Sequence, residues 1–118
     1  MEVHTVRGCG FHEAVYRESC GIEFSARDIP FVMEAPFPVT YKGYRVGGFY
    51  RADFVCYDQI IVEIKATTAM NSPLEYAQML NYLAASGKQR GLLLNFGGTK
   101  LTVKRFVLSG NMPPQVLD

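Results

Sequence analysis

The sequence predicts an α/β protein built on one mixed β-sheet that is flanked by helices. Two segments have the helical spacing of apolar residues and end at a glycine, and the other segments are rich in β-branched and aromatic residues. These elements follow one another in the order α-β-β-β-α-β-β. A chain of 118 residues that is 48% hydrophobic fits one compact domain. We expect residues 1–108 to form this domain and residues 109–118 to form a loose tail.

The first helix is predicted from about Phe11 to Cys20, because Gly21 favours leaving a helix. The extended segment after it is confined to an edge of the sheet by three prolines, which are Pro30, Pro36 and Pro38. Turn chemistry over residues 41–48 then separates this segment from the second strand. The aromatic side chains around this turn are expected to pack in the core and in loops: Tyr41, Tyr44, Phe49 and Tyr50.

Two strand-like segments, "FYRADFVCY" and "QIIVEIKAT", form a predicted hairpin around Asp58. The second helix is predicted from Pro73 to Ser86, with Ser72 as its N-cap and Gly87 after its last turn. Its expected core-facing stripe consists of Ala77, Leu80 and Ala84. The segments "RGLLLNF" and "KLTVKRFVL" are typical of a buried and a half-exposed strand, and they complete the sheet.

Charged residues within the predicted hairpin need a physical reason, because isolated charges are costly to bury. Alternation along the third strand places Glu63 and Lys65 on the same face as Ile61. A three-residue turn over residues 57–59 would set Asp53 directly opposite Glu63, whereas a two-residue turn would put them on opposite faces. We therefore predict the three-residue turn, which brings the two carboxylates together.

Two opposed carboxylates, with Cβ atoms ~5 Å apart, repel each other unless a cation lies between them. Carboxylate oxygens with room for water suit Mg²⁺ or Mn²⁺. Lys65, on the same face as Glu63, could then contact a phosphate oxygen or position water. The alternative is structural, because Asp53 could instead pair with Lys65 or Arg51 on a solvated face. The hairpin by itself leaves both interpretations open.

The second helix carries further polar residues that have two interpretations. Gln78 and Tyr82 are spaced i and i+4, and Glu75 lies three residues before Gln78 on the same side of the helix. These side chains either belong to a functional site or are boundary residues beside the core.

Composition excludes several classes of protein. The formal net charge is +1, so nucleic-acid binding would require a local basic patch. Three cysteines without a CxxC pair, Cys9, Cys20 and Cys56, suit reduced thiols and argue against a zinc site. The apolar run "GLLLNFGG" is far shorter than the ~20 residues of a membrane helix, and no signal-peptide pattern begins the chain. We expect a soluble, cytoplasmic protein without a membrane partner.

Several motifs together resemble a known superfamily. Asp53, followed after nine residues by Glu63-Ile64-Lys65 on a hairpin, resembles the D and ExK signature of the PD-(D/E)XK nuclease superfamily, and the element order resembles its restriction-endonuclease-like core. The segment "QMLNY" resembles the QxxxY motif of the RecB-like branch. "GFHEAVY", at residues 10–16, reads as GxxExxY. With "VEIKA", "QMLNYL" and "GLLLNFG", the chain resembles the small GxxExxY family of that superfamily from Glu2 to about Val107.

The resemblance implies a metal-dependent nuclease that hydrolyses phosphodiester bonds of nucleic acids. Asp53 and Glu63 would bind the divalent ion, Mg²⁺ or Mn²⁺. The carbonyl oxygen of Ile64 would be a third ligand, and Glu13 would complete the metal site or hold a bound water.

The resemblance also implies roles for three further residues. Lys65 would stabilise charge on the phosphate and orient water. Gln78 would hold Lys65 or the water in place, and Tyr82 would support Gln78 or touch the substrate backbone.

The expected partner is a nucleic acid, with DNA favoured over RNA. The basic side chains that are candidates for substrate contact are Lys42, Arg45, Arg51, Lys88, Arg90 and Lys104. Because they form no dominant patch in the sequence, a homodimer would help by doubling the footprint. The alternative is a catalytically inactive module that keeps the nuclease fold and binds nucleic acid or a protein partner.

Overall fold

The computed structural model describes residues 2–8, 10–68, 73–108 and 115–117. Its elements are α1 (Glu2–Arg7), α2 (Glu13–Ala26), β1 (Phe31–Tyr41), β2 (Tyr44–Cys56), β3 (Ile60–Lys65), α3 (Pro73–Ser86), β4 (Arg90–Asn95), β5 (Thr102–Val107) and β6 (Gln115–Leu117). The predicted class, an α/β protein with a mixed sheet flanked by helices, is confirmed.

The strands form a single sheet whose spatial order is the order of the chain, from β1 to β6. β3 and β4 pair in parallel because α3 carries the chain back across the sheet, whereas the other neighbouring strands pair antiparallel. The proline-containing strand β1 lies at an edge, as predicted. The tail differs from the expected loose segment, because Gln115–Leu117 pairs with β5. The other tail residues lie outside the described ranges.

Hydrophobic side chains fill both faces of the sheet. The core under α1 and α2 contains Val3, Tyr16, Cys20, Phe24, Phe54, Cys56, Val62, Ile64, Leu94 and Phe96. The core under α3 contains Ala35, Ala52, Val55, Ile61, Met79, Leu83, Leu93 and Phe106. The predicted alternation of β3 is confirmed, because Ile61 belongs to the second core while Val62 and Ile64 belong to the first. β3 and the end of β2 that pairs with it are thus buried between two layers.

Helix α2 extends further than predicted. It begins at Glu13 rather than Phe11, and it continues through Gly21 to Ala26. The buried stripe of Tyr16, Cys20 and Phe24 packs on the sheet, and this packing outweighs the roughly 1 kcal/mol cost of glycine in a helix. Gly21 is itself buried, where an added Cβ would lie 3.7 Å from Phe54.

The first hairpin is longer than predicted. The expected turn region over residues 41–48 is mostly strand, because β1 runs to Tyr41 and β2 begins at Tyr44, leaving a two-residue turn. The expectation that aromatic residues here pack in the core is wrong for three of them. Their exposed fractions are 63% for Tyr41, 77% for Tyr44 and 50% for Phe49. This hairpin therefore presents aromatic rings to solvent.

Helix α3 has the predicted bounds but a different core face. The buried residues are Met79 and Leu83, whereas Leu80 is half-buried and both Ala77 and Ala84 are exposed. Met79 and Leu83 pack in the core with Leu93 of β4 and Phe106 of β5. The stripe that packs on the sheet is therefore rotated from the predicted one.

Two predictions concern residues outside the described ranges, namely Cys9 and the N-cap Ser72. Cys20 and Cys56 are buried free thiols. Burial raises the pKa of Cys20 to about 12 and that of Cys56 to about 11, so both thiols stay protonated and unreactive at neutral pH. In the part of the chain that the structure describes, none of the helices has the length and apolar character needed to cross a bilayer.

Candidate active site

The β2–β3 hairpin brings together Asp53 and Glu63. Its turn covers residues 57–59, because Cys56 pairs with Ile60, and the three-residue turn is thereby confirmed. Regular pairing continues to Phe54 and Val62, and the same register sets Asp53 opposite Glu63. At this point the carboxylate oxygens, rather than backbone carbonyls, accept the hydrogen bonds from the opposite strand.

The two carboxylates hydrogen-bond the opposite strand. The Ile64 N–H donates to Asp53 Oδ2 at 2.8 Å, and the Asp53 N–H donates to Glu63 Oε1 at 3.2 Å. Each carboxylate is therefore fixed to the backbone beside the other. These hydrogen bonds therefore hold β2 and β3 together at the position of the two charged residues.

Glu63 is the buried member of the pair, with 8% of its surface exposed. The hydroxyl of Tyr50 donates a hydrogen bond to Glu63 Oε1. Burial, and next the negative charge of Asp53, raise the pKa of Glu63 from 4.5 to about 7. Ionised Glu63 therefore lacks sufficient compensating positive charge in this environment.

Arg17 approaches the pair from helix α2. Its Nη1 lies 3.4 Å from Asp53 Oδ1, and both side chains are partly buried. Sequence reasoning missed this residue, although it lies one helical turn after Glu13 on the same side of α2. The sequence alternative was an ion pair of Asp53 with Lys65 or Arg51. In the structure, the ion-pair partner of Asp53 is Arg17.

Tyr50 is the second residue that sequence reasoning missed as part of the site. Its ring stacks on Tyr82 of α3, with ring centroids 3.6 Å apart and planes 11° from parallel. Burial, followed by the charge of Glu63, raises the pKa of Tyr50, so the hydroxyl remains protonated and can donate. The sequence contained one indication of this role, because Tyr50 lies on the same predicted strand as Asp53, three residues earlier.

Lys65 and Tyr82 lie on the same side of the sheet as Glu63. Burial and the negative charges of Glu63 and Asp53 raise the pKa of Tyr82, while the positive charge of Lys65 opposes this shift. These four groups are thus close enough to influence one another. Lys65 is half-buried at the end of β3, where its carbonyl accepts a 2.8 Å hydrogen bond from the Phe96 N–H.

The structure does not join every predicted site residue. Gln78 lies one turn before Tyr82 on α3, but no hydrogen bond joins its side chain to Asp53 or Glu63 within the described residues. Glu13 is half-buried at the start of α2. The described ranges contain no cluster of three or more His, Cys, Asp or Glu side chains that could hold a metal, so Glu13 does not join Asp53 and Glu63.

The two carboxylates nevertheless suit a hard divalent cation. Carboxylate oxygens have several lone pairs, and Glu63 Oε2 accepts no hydrogen bond from the described residues. Mg²⁺ is commonly held by one or two carboxylates together with water and substrate phosphate. A bound cation would stabilise the ionised carboxylate of Glu63 and so lower its raised pKa. The donor set therefore fits Mg²⁺ or Mn²⁺ bound through Asp53 and Glu63.

The candidate substrate-contacting cations fall into separate groups. Those exposed on the β1–β2 hairpin are Lys42, Arg45 and Arg51. At the other end of β2, Lys88 donates to the Asp58 carbonyl at 2.9 Å, and Arg90 is exposed at the start of β4. Lys104 lies on β5, two strands from β3. They do not form one continuous patch.

Comparison with known proteins gives one structural match and one family. No curated protein matches the chain. A solved structure titled "Crystal structure of SSO0001" matches with a TM-score of 0.59 at 19% sequence identity, a level that shows the fold alone. The match covers 78% of this chain and 48% of that one, so this chain spans about half the length of the solved structure.

The family model describes the PD-(D/E)XK nuclease superfamily, and it matches residues 1–106. These residues include both carboxylates, the helix that contributes Arg17 and the helix that contributes Tyr82. The chain, with its paired carboxylates on a sheet hairpin, therefore belongs to the PD-(D/E)XK nuclease superfamily.

Proposed function

We propose that this protein is a metal-dependent nuclease that cleaves phosphodiester bonds of nucleic acids, and that it is of the GxxExxY type. Membership of a nuclease superfamily supports the reaction class. The single observation that carries the proposal is the opposed pair of Asp53 and Glu63, with the raised pKa of Glu63. DNA is the favoured substrate.

In this proposal, Asp53 and Glu63 hold Mg²⁺ or Mn²⁺, and the Ile64 carbonyl is a further candidate ligand. When bound, the ion would lower the pKa of water and neutralise charge on the phosphate oxygens. Tyr50 keeps the Glu63 carboxylate in one orientation through its hydroxyl. Arg17 adds positive charge beside Asp53 and limits the repulsion between the two carboxylates.

The other residues act on the substrate and on water. Lys65, at the end of β3, carries the positive charge that stabilises the attacked phosphate and orients water. Gln78, one turn before Tyr82, would contact the water or Lys65 once substrate is bound. Glu13 would act through a bound water rather than as a direct ligand, because it does not cluster with the two carboxylates among the described residues.

The test is cleavage of labelled single- and double-stranded DNA and RNA in the presence of Mn²⁺. Wild-type protein is expected to cut at least one substrate, and Asp53→Asn to cut none. The amide oxygen of this variant can still accept the hydrogen bond from the Ile64 N–H, so the protein should fold. Asp58→Asn is the matched control, because this exposed turn aspartate lies away from the site. Equal cleavage by wild type and Asp53→Asn contradicts the proposal and favours the inactive binding module.

A further inference from the structure

The tip of the β1–β2 hairpin exposes a cluster of aromatic rings. Tyr41 and Tyr44 pair across the two-residue turn, and both are mostly exposed. Phe49 is half exposed on the same hairpin. Clusters of exposed apolar side chains with charged neighbours mark interaction sites more often than isolated ones do. The hairpin tip is therefore a candidate binding surface.

The strand register connects this tip to the candidate active site. Alternation along β1 places residues 35, 37 and 41 on one face, and their partners on β2 are residues 52, 50 and 44. Tyr41 and Tyr44 thus share a face with Phe37 and Tyr50, whose rings are stacked 6.2 Å apart. Because Tyr50 hydrogen-bonds Glu63, this aromatic face leads from the tip to the carboxylates.

The charge of the hairpin specifies what chemistry it could bind. Residues 35–52, the part of the hairpin nearer its turn, include the basic residues Lys42, Arg45 and Arg51 and no aspartate or glutamate, so this part carries +3. The acidic residues of the hairpin, Glu34 and Asp53, lie towards its other end. The Lys42 ammonium lies 5.5 Å from the centre of the Tyr41 ring, and the Arg45 guanidinium 5.1 Å from that of Phe49. Cations beside exposed rings suit a ligand with both anionic and aromatic groups.

The geometry favours single strands over a duplex. Tyr41 and Tyr44 pair across the turn, and the next aromatic residue on this face of β1 is Phe37, about 13 Å away along the strand. Stacked bases of a duplex lie ~3.4 Å apart and cover each other's faces. The exposed tip rings can therefore stack only on bases whose faces are free, as in a single strand. A second copy of this chain is a poor partner, because the two tips would bring like charges together.

We propose that the β1–β2 hairpin is a stacking arm that binds single-stranded nucleic acid and leads it to the carboxylate pair. The identification of that pair as a nuclease site rests on the proposed function, whereas binding by the arm does not require cleavage. Two consecutive glycines mark the place where the tip departs from the regular strand pairing of the hairpin. Gly47 and Gly48 have φ values of 67° and 80°, and they lie at the register shift between the tip and the body of the hairpin.

The experiment measures fluorescence anisotropy of a labelled oligothymidylate titrated with the full chain in EDTA, where no metal-dependent cleavage occurs. Replacing both tip tyrosines, Tyr41→Ala with Tyr44→Ala, should weaken binding by about 30-fold or more. Tyr41→Phe with Tyr44→Phe should keep the affinity, because phenyl rings still stack. Lys42→Gln should leave the rings in place and reduce the salt dependence of binding by a slope of about 0.7.

Tyr57→Ala is the matched control, because Tyr57 is an exposed tyrosine in the turn at the other end of β2. It should bind like the wild type. The proposal is overturned if the wild type does not bind, if the double alanine variant binds equally well, or if a duplex of the same sequence binds as tightly and shows the same loss. A change of oligomeric state in sedimentation, without a change in binding, would assign the tip to a second copy instead.

The outcome can be separated from that of the proposed function. Tyrosine-dependent binding without cleavage in Mn²⁺ leaves the arm in place and removes the nuclease. Conversely, cleavage that depends on Asp53, together with binding that does not depend on the tip tyrosines, would support the nuclease and contradict the stacking arm.

Discussion

The hydroxyl of Tyr50 donates a hydrogen bond to Glu63 Oε1, and its ring stacks on Tyr82. Tyr50→Phe removes the hydrogen bond and keeps the ring. Because partners that orient metal ligands typically contribute 10–100-fold to metal affinity, the Mn²⁺ concentration for half-maximal cleavage should rise by about that factor. Cleavage at saturating Mn²⁺ should fall less.

The readout for Tyr50 is a Mn²⁺ titration of the cleavage rate. Tyr57→Phe serves as the control, because it removes an exposed hydroxyl far from Glu63. An unchanged Mn²⁺ requirement in Tyr50→Phe would show that the hydroxyl does not position Glu63.

Glu63 also predicts a pH dependence of the metal-free protein. Its pKa is raised to about 7 in the fold, so the folded state holds a proton that the unfolded state releases above pH 4.5. Stability from this group is therefore present at low pH and is lost as pH rises from 4.5 to 7. Glu63→Gln should stabilise the metal-free protein at pH 8 by on the order of 2–3 kcal/mol, while abolishing cleavage.

The measurement is urea unfolding of wild type and Glu63→Gln in EDTA at pH 5 and pH 8. The stability difference should grow with pH. A gain that is the same at both pH values would mean that ionisation of Glu63 is not its cause.

At the scale of elements, Asn95 joins the end of β4 to the segment that follows β3. Its Oδ1 accepts hydrogen bonds from the Thr67 N–H at 3.1 Å and the Gly97 N–H at 3.0 Å, and its Nδ2 donates to the Thr67 carbonyl at 3.0 Å. Gly97 allows this approach, because an added Cβ would clash with the Thr67 backbone. The clamp fixes the chain two residues after Lys65.

Asn95→Ala should lower the free energy of unfolding by roughly 1–3 kcal/mol, since it removes three hydrogen bonds to partly buried backbone groups. Urea unfolding measures this, with Asn81→Ala, on the exposed side of α3, as the control. We also expect a lower cleavage rate in folded Asn95→Ala, because Lys65 loses its support. Equal stability of the two variants would contradict the role of the clamp.

Local patterns predicted the elements well where a local interaction determines them. The three-residue turn, the edge position of β1 and the bounds of α3 follow from residue spacing and proline chemistry. The end of α2 and the core face of α3 depend instead on long-range packing, as Gly21 against Phe54 shows. The glycine at position 21 indicated a helix end, and nothing in the local sequence could reveal its contact with Phe54.

At the scale of the whole molecule, the carboxylate pair lies on strands that are packed by a core on each face. A ligand bound at the pair should therefore stabilise the entire fold. At 100 times its dissociation constant, Mn²⁺ should contribute roughly 2.7 kcal/mol, which raises the melting temperature by about 10 °C in a domain of this size.

Thermal melts with and without Mn²⁺ measure this effect in the absence of substrate. Asp53→Asn should show almost no increase, and Glu13→Gln should keep most of it, since Glu13 does not cluster with the pair in the described part of the chain. Loss of the increase in Glu13→Gln would instead make Glu13 a direct ligand.

The sequence predicted Asp53, Glu63 and their register, because they lie on adjacent strands joined by a short turn. Arg17 and Tyr50 were missed for different reasons. Arg17 reaches Asp53 from another layer, 36 residues away in the chain, and Tyr50 contacts Glu63 through a side-chain hydroxyl that strand alternation does not predict. The first contact depends on how α2 packs on the sheet, and the second depends on how two long side chains meet between the neighbouring strands β2 and β3.

The backbone bonds accepted by Asp53 and Glu63 have an evolutionary consequence. A descendant that abandoned hydrolysis would still need acceptors for the N–H groups of Ile64 and Asp53. Asparagine and glutamine can accept them, whereas alanine cannot. We therefore expect inactive relatives of this fold to carry asparagine at the position of Asp53 or glutamine at the position of Glu63. Such a protein would keep nearly the whole motif and would differ from an active one at each carboxylate by the exchange of one oxygen for an amide nitrogen.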